Sequence, residues 1–321
     1  MTTALASATR GERSRVASRS SFRVMGCAAE VVVIGDPHLV GSAQARLAHL
    51  EQCWSRFLAA SDISRLNCAG GDAVVVDPST VVLVEHLVQA ARATCGSFDP
   101  TLLPTLVGIG DAVSWEDPGR VTSLHGSAMP RGDVEGVLVD RARRLVELPP
   151  GTTLDPGGLG KGLAADLVVG ELLEAGATGA LVNVGGDLRV GGRPAEDDDG
   201  ESAGAWAIAV EHPLERGAEV ARLRLASGGV ATSSTLLRRW RAQGVERHHL
   251  IDPADGGPAG SGIASVTVVA GTAAWAEAWT KAVMVDGPAT TFDRLDALGL
   301  GACVVMADGR TSTNGTWRDF A

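Results

Sequence analysis

Arginine supplies nearly all the positive charge of this 321-residue chain, and the two lysines are Lys161 and Lys281. Lys161 lies in TTLDPGGLGKGLAADL (152–167), a glycine-rich turn that runs into an apolar helical pattern. Such a turn exposes backbone N–H groups at the positive end of a helix dipole, and a lysine adds a full charge, a combination suited to phosphate. The spacing is neither a Walker loop nor GxGxxG, because Gly162 follows the lysine where a Walker loop has Ser or Thr. On the residues alone, a phosphate cradle and a plain turn with a solvated lysine stand level. Keeping lysine against an arginine bias favours a role for a compact ammonium over a planar fork. Lys281 follows Glu277 by four residues in AEAWTKA. The plain reading there is a helical surface pair, worth roughly 0.2–0.5 kcal/mol. HHLIDP supplies His248, His249 and Asp252. A histidine beside a carboxylate is a general base if both face a cleft, and otherwise a surface or structural residue. HExxH is absent, so zinc-hydrolase chemistry of that kind has no support.

Positioning these groups requires strands and helices, and the periodicities supply them. FRVMGCAAEVVVI (22–34) reads as a first strand. Asp36-Pro37 opens a helix whose apolar face runs Val40, Ala43, Leu47, Leu50, Trp54 and Phe57. SDISRLN (61–67) reads as a polar connection, and Asp77-Pro78 opens a second helix that stops at Gly96. Residues 105–133 read as loop and 134–150 as a hairpin. The lysine turn then leads a helix closed by Gly176, followed by the strand ALVNVGG. WAIAVEHP, ARLRLAS and ASVTVVAG are strands, TAAWAEAWTKAVMV is a helix, and ACVVMADGRTST is a closing hairpin. The aspartate run at 197–199 reads as a solvated hairpin tip, not a metal site. Together these predict one mixed α+β domain over 22–321.

The bulk properties narrow the function. A net charge of −10 argues against general nucleic-acid binding. No apolar run reaches the roughly 18 residues of a membrane span. Residues 1–21 are small, polar and Arg-rich, without the apolar middle of a secretion signal, and read as a disordered tail. Five cysteines without a CxxC pair read as free thiols in a reducing compartment, so the expected location is the cytoplasm.

Eight segments in order carry a resemblance: VMG (24–26), SRF…SDISRLN (55–67), GSFDPTLLP (96–104), LDPGGLGKGLAAD (154–166), LVNVGGDLRV (181–190), GGVATSST (228–235), HHLIDPADGGPA (248–259) and AEAWTKAVMV (276–285). Across 22–321 the chain resembles the ApbE-type FAD:protein FMN transferases. The resemblance implies a single T-fold-like α+β unit with a mixed or antiparallel sheet and packed helices. It also implies transfer of FMN from FAD to a Thr or Ser hydroxyl of an acceptor protein, releasing AMP. The same parts could serve FAD hydrolysis to FMN and AMP, or FAD binding without chemistry. Matched to the family's motifs, Met25, Phe57, Ser97, Phe98, Asp99, Asp155 and Lys161 are the expected FAD contacts. His249 is the expected base, with Asp252 orienting its region. Gly158, Glu277 and Thr280 are the expected magnesium ligands.

Four positions depart from the family pattern. Cys27 stands for a usual Thr, and Ser234 for a usual Gly. On the metal-binding helix, the usual Asp and the Thr four residues later are Glu277 and Lys281. Two unit charges about 4 Å apart interact by roughly 4 kcal/mol at an effective dielectric of 20, so Lys281 and a magnesium in its usual place compete. Of three outcomes (Lys281 replacing the metal as counter-charge, a displaced metal, a degraded site), the first is the expectation.

Overall fold

The computed structural model describes residues 17–195, 204–242, 244–259 and 262–321. In chain order the elements are β1 (Ala17–Val24), β2 (Cys27–Ile34), α1 (His38–Trp54), α2 (Asp62–Cys68), β3 (Val74–Val75), α3 (Pro78–Ala93), α4 (Leu103–Gly108), β4 (Leu138–Asp140) and β5 (Leu145–Glu147). Then follow α5 (Gly160–Glu174), β6 (Gly179–Val184), β7 (Asp187–Gly192), β8 (Trp206–Glu211), β9 (Glu219–Leu225), β10 (Gly228–Ser234), β11 (Arg239–Ala242) and β12 (Val245–His248). The chain closes with β13 (Ile263–Ala270), α6 (Ala273–Asp286), α7 (Pro288–Ala297), β14 (Gly301–Met306) and β15 (Thr311–Thr313). The main sheet has eight strands in the order β1-β2-β6-β7-β10-β13-β14-β15, every pair antiparallel.

Alternation along β2 shows how the layers form. Val31 and Val33 pack under α1, α3 and α5, while Val32 and Ile34 meet the β8–β9 hairpin through Trp206, Ile208 and Leu223. The sheet is therefore covered on both faces, which is why β13 is buried at every position. A second core joins α6 and α7 to β13 and β14 around the fully buried Trp279.

Five local expectations change. The stretch 22–34 is two strands, joined at Met25-Gly26, where both residues have positive φ (51° and 73°) as a tight hairpin turn of this twist requires. β1 begins at Ala17, so the last residues of the stretch read as a tail are sheet; the rest of that stretch, and the aspartate run, lie outside the described residues. SDISRLN is helical: the Ser61 hydroxyl caps α2 by accepting from Ser64 N. Phe57 lies beyond α1, whose C-cap is Ser55. The short helix α4 also enters the region read as loop.

Candidate active site

One cleft is walled by segments far apart in the chain: the Met25-Gly26 turn, residues 54–57 at the end of α1 and just beyond it, the 97–102 loop, the 155–161 turn, Arg238 with residues 249–251, and Lys281 to Val285 on α6. Ten of the thirteen predicted site residues line it: Met25, Phe57, Ser97, Phe98, Asp99, Asp155, Gly158, Lys161, His249 and Lys281. Asp252, Glu277 and Thr280 stand outside the lining.

The two lysines meet at one buried carboxylate. Glu277 is fully buried, its Oε1 accepting from Lys161 Nζ at 2.6 Å and Lys281 Nζ at 3.3 Å. Its Oε2 accepts from the backbone N of Gly162 at 2.8 Å. Lys161 also pairs with the buried Asp187, which opens β7 after the Gly185-Gly186 turn. Helix α5 comes this close to α6 because residue 162 is glycine: a Cβ there would stand 2.5 Å from the carbonyl oxygen of Ala273. Burial alone would push Glu277 up, but Lys161 and Lys281 outweigh it and hold the carboxyl down at about 2. Asp187 moves the other way, up to about 6, through burial and the Glu277 charge. Burial lowers Lys161, yet Asp187 and Glu277 more than restore it, so its ammonium persists. Burial also lowers Lys281, which has Glu277 in its favour and Lys161 against it.

His249 is the other reactive group in the cleft. Its Nδ1 is buried and has no hydrogen-bond partner among the described residues. Burial, then the positive charges of Arg238, Lys281 and Lys161, push the imidazole down to about 3, so it is neutral at pH 7. Asp252 makes no bond to it. Its Oδ1 accepts from Ala254 N at 2.8 Å, and its backbone closes a turn with Gly256 and Gly257.

The 97–101 loop is internally braced. Asp99 accepts from Thr101 N and from Arg131 Nε, and Ser97 Oγ donates to Asp286 at 2.6 Å. Asp155 Oδ1 accepts from Gly157 N at 3.0 Å, shaping the turn ahead of α5. A Cβ at Gly158 would lie 2.7 Å from the Phe98 ring and 3.6 Å from Lys281 Cε, so glycine there leaves the wall open.

Sequence reasoning missed three contributors. Arg56 is buried, donates to the side chain and carbonyl of Asp111 at 2.8 Å each, and stands 4.3 Å over the Phe57 ring. Its place inside the SRF segment was the available signal. Arg238 enters the cleft from the connection between β10 and β11. Asp166 accepts from Ala273 N and Ala274 N at 2.8 Å each, so the aspartate of KGLAAD anchors the start of α6. Ser234, at the departure from glycine, donates to the Ala264 carbonyl at 2.9 Å.

The residues present do not fit a magnesium ion at the implied place. Magnesium takes oxygen ligands at about 2.0–2.1 Å in near-octahedral geometry. Both Glu277 oxygens are already taken by N–H donors, two of them ammonium groups. The Thr280 hydroxyl donates to the Glu277 carbonyl at 2.7 Å and pairs with Ser233 at 2.7 Å, facing the sheet. Thr280 is therefore corrected from ligand to structural residue. Elsewhere among the described residues, His49, Cys53 and Asp77 bring three donor atoms within 4.8 Å. That group lies outside the cleft, and burial with Asp77 and Asp62 pushes the Cys53 thiol up to about 11.

Comparison with known proteins gives the family and the fold. The model of the ApbE family matches residues 25–304. The FAD:protein FMN transferase of Treponema pallidum is 31% identical over 242 residues, 71% of this chain and 65% of that protein. That of Escherichia coli is 30% identical over 161 residues, 50% of this chain and 44% of that protein. The chain thus spans about half to two thirds of the length of these curated relatives. The crystal structure of the ApbE protein of Thermotoga maritima is similar at a TM-score of 0.80 and 25% identity, over 95% of this chain and 99% of that one. The apo flavinyl transferase ApbE of Pseudomonas stutzeri has the same fold, at a TM-score of 0.76 and 24% identity, over 95% and 96%.

Proposed function

The chain belongs to the ApbE family, and from that premise we propose that it transfers FMN from FAD to a Thr or Ser hydroxyl of an acceptor protein. The observation that carries the reading is a neutral His249, its Nδ1 without a partner among the described residues, in a cleft that also presents Lys161, Lys281 and Arg238. The apolar walls (Phe57, Phe98 and Met25) suit the rings of FAD, and the cationic side suits its pyrophosphate.

In the proposed reaction the acceptor oxygen attacks the phosphorus on the flavin side of the pyrophosphate. The new O–P bond forms as the bond to the bridging oxygen breaks, and AMP leaves with that oxygen. The hydroxyl proton passes to His249 and then to solvent or product. Phosphoryl transfer depends mainly on positioning and charge stabilisation, so fixed cations and a single base are suitable parts. The bound pyrophosphate offsets the charges that depress His249 and raises its basicity when the proton must move.

Intact mass measurement tests this. The protein is incubated with FAD and an acceptor domain from a flavinylated protein. A mass gain on the acceptor equal to FMN, less one water, with AMP released, supports transfer. Free FMN and AMP with an unmodified acceptor assign hydrolysis instead, and unchanged FAD assigns binding alone. No helix among the described residues is long and apolar enough to cross a membrane. We assign the reaction to the cytoplasm, and fractionation of cells expressing the full-length protein checks that location.

A further inference from the structure

We infer that Lys281 is the counter-ion for the FAD pyrophosphate, in the place of a divalent metal, so that this protein holds FAD without magnesium. The inference rests on the FAD reading above. Its first support is the charge count. Lys161 and Lys281 face Asp187 and Glu277 in one buried cluster, so these four groups already sum to zero. A divalent cation would bring two further positive charges against two ammonium groups, at a carboxylate whose two oxygens each already accept an N–H.

The second support is how differently the lysines are held. Lys161 is clamped between Asp187 and Glu277, the latter at 2.6 Å. Lys281 has one hydrogen bond among the described residues, at 3.3 Å to Glu277 Oε1. An ammonium has three donors, so Lys281 keeps capacity for phosphate oxygens while Glu277 fixes its position. Its side chain lines the cleft and its Cε lies beside the open wall at Gly158. Burial with a single partner also favours its accepting an anion, since the low-dielectric surroundings strengthen that contact. Lys161 is then the positioning residue that holds Glu277, and Lys281 the one that meets substrate.

Equilibrium FAD binding, read by flavin fluorescence anisotropy, tests this apart from turnover. The purified full chain is titrated with FAD in EDTA and again in excess magnesium chloride. Wild type should bind equally in both. Lys281→Met should weaken binding about 10- to 100-fold in EDTA, the loss of one charge-assisted hydrogen bond. Lys281→Thr should be as weak in EDTA and recover at least in part with magnesium, since it removes the competing charge and offers an oxygen. Thermal melting confirms that each variant is folded, and the wild-type comparison needs no variant. Wild-type binding that collapses in EDTA and returns with magnesium overturns the inference. So does a folded Lys281→Met that binds FAD as tightly as wild type. If FAD binds without metal through Lys281 yet no FMN reaches acceptor or solution, the transfer reading fails and this one stands.

Discussion

Replacing Glu277 with Gln is the sharpest test of the buried cluster. The carboxylate accepts from three donors: Lys161 Nζ at 2.6 Å, Lys281 Nζ at 3.3 Å and Gly162 N at 2.8 Å. A glutamine amide has one oxygen and one NH2. If its oxygen faces Gly162, the NH2 points at two ammonium groups. If its oxygen faces the lysines, the NH2 opposes the Gly162 N–H. Either way a donor confronts a donor, and two cations share the remaining carboxylate of Asp187. Removing one partner of a buried pair costs about 3–5 kcal/mol. For a chain near 300 residues this lowers Tm by about 5–8 °C, from the usual unfolding entropy of about 2 cal/mol/K per residue. Differential scanning calorimetry on wild type and Glu277→Gln reads this shift. Lys281→Met should shift Tm much less, because Glu277 keeps Lys161 and Gly162 N. A Glu277→Gln protein melting within about 1 °C of wild type would refute the cluster as a structural centre, given the cost expected for a broken buried pair.

Other consequences are equally direct. Gly162→Ala places a Cβ 2.5 Å from the Ala273 carbonyl oxygen, so α5 and α6 must separate; a loss of about 1–3 kcal/mol in urea unfolding is expected. His249→Asn should abolish FMN transfer while FAD affinity, read by fluorescence, changes little. His249 also predicts a pH trend: unfolded it gains a proton below its ordinary 6.5, whereas folded it stays neutral down to about 3. Its contribution to stability is complete above about 6.5 and is lost as pH falls toward 3, so urea midpoints at pH 7.5 and 4.5 should differ less for His249→Phe than for wild type. Asp166→Asn leaves one of two backbone donors at the start of α6 without its acceptor, and a melting shift equivalent to about 1–3 kcal/mol checks that anchor.

Long periodic segments with clear ends were legible in the sequence. α3 runs from Asp77-Pro78 as its start signals indicate, and α5 and α6 lie where the apolar spacing puts them. Two-residue turns and short capped helices were not. Met25-Gly26 sits inside an unbroken apolar run and so hides a reversal of the chain. Ser61 caps α2 only because the surrounding fold buries that polar stretch, with Asp62 accepting from Asp77 N and Thr80. Lengthening α1 to Phe57 continued an apolar spacing past the Ser55 cap, since periodicity alone does not mark where a helix ends.

By itself the sequence determined where the long periodic helices and strands lie, which family motifs stand in which order, and that a lysine occupies position 281. Those properties rest on local spacing and residue type. Only the tertiary structure decided what the charges mean. Glu277 and Lys281 read as a surface pair because their four-residue spacing is local, and the pair does form. Its burial depends on the sheet beneath α6 and on Gly162 across from it, 115 residues away along the chain. Lys161 meets Asp187 and Glu277 across separations of 26 and 116 residues. Spacing in the chain carries no record of such contacts; packing sets them, and with them the dielectric in which four charges either balance or repel.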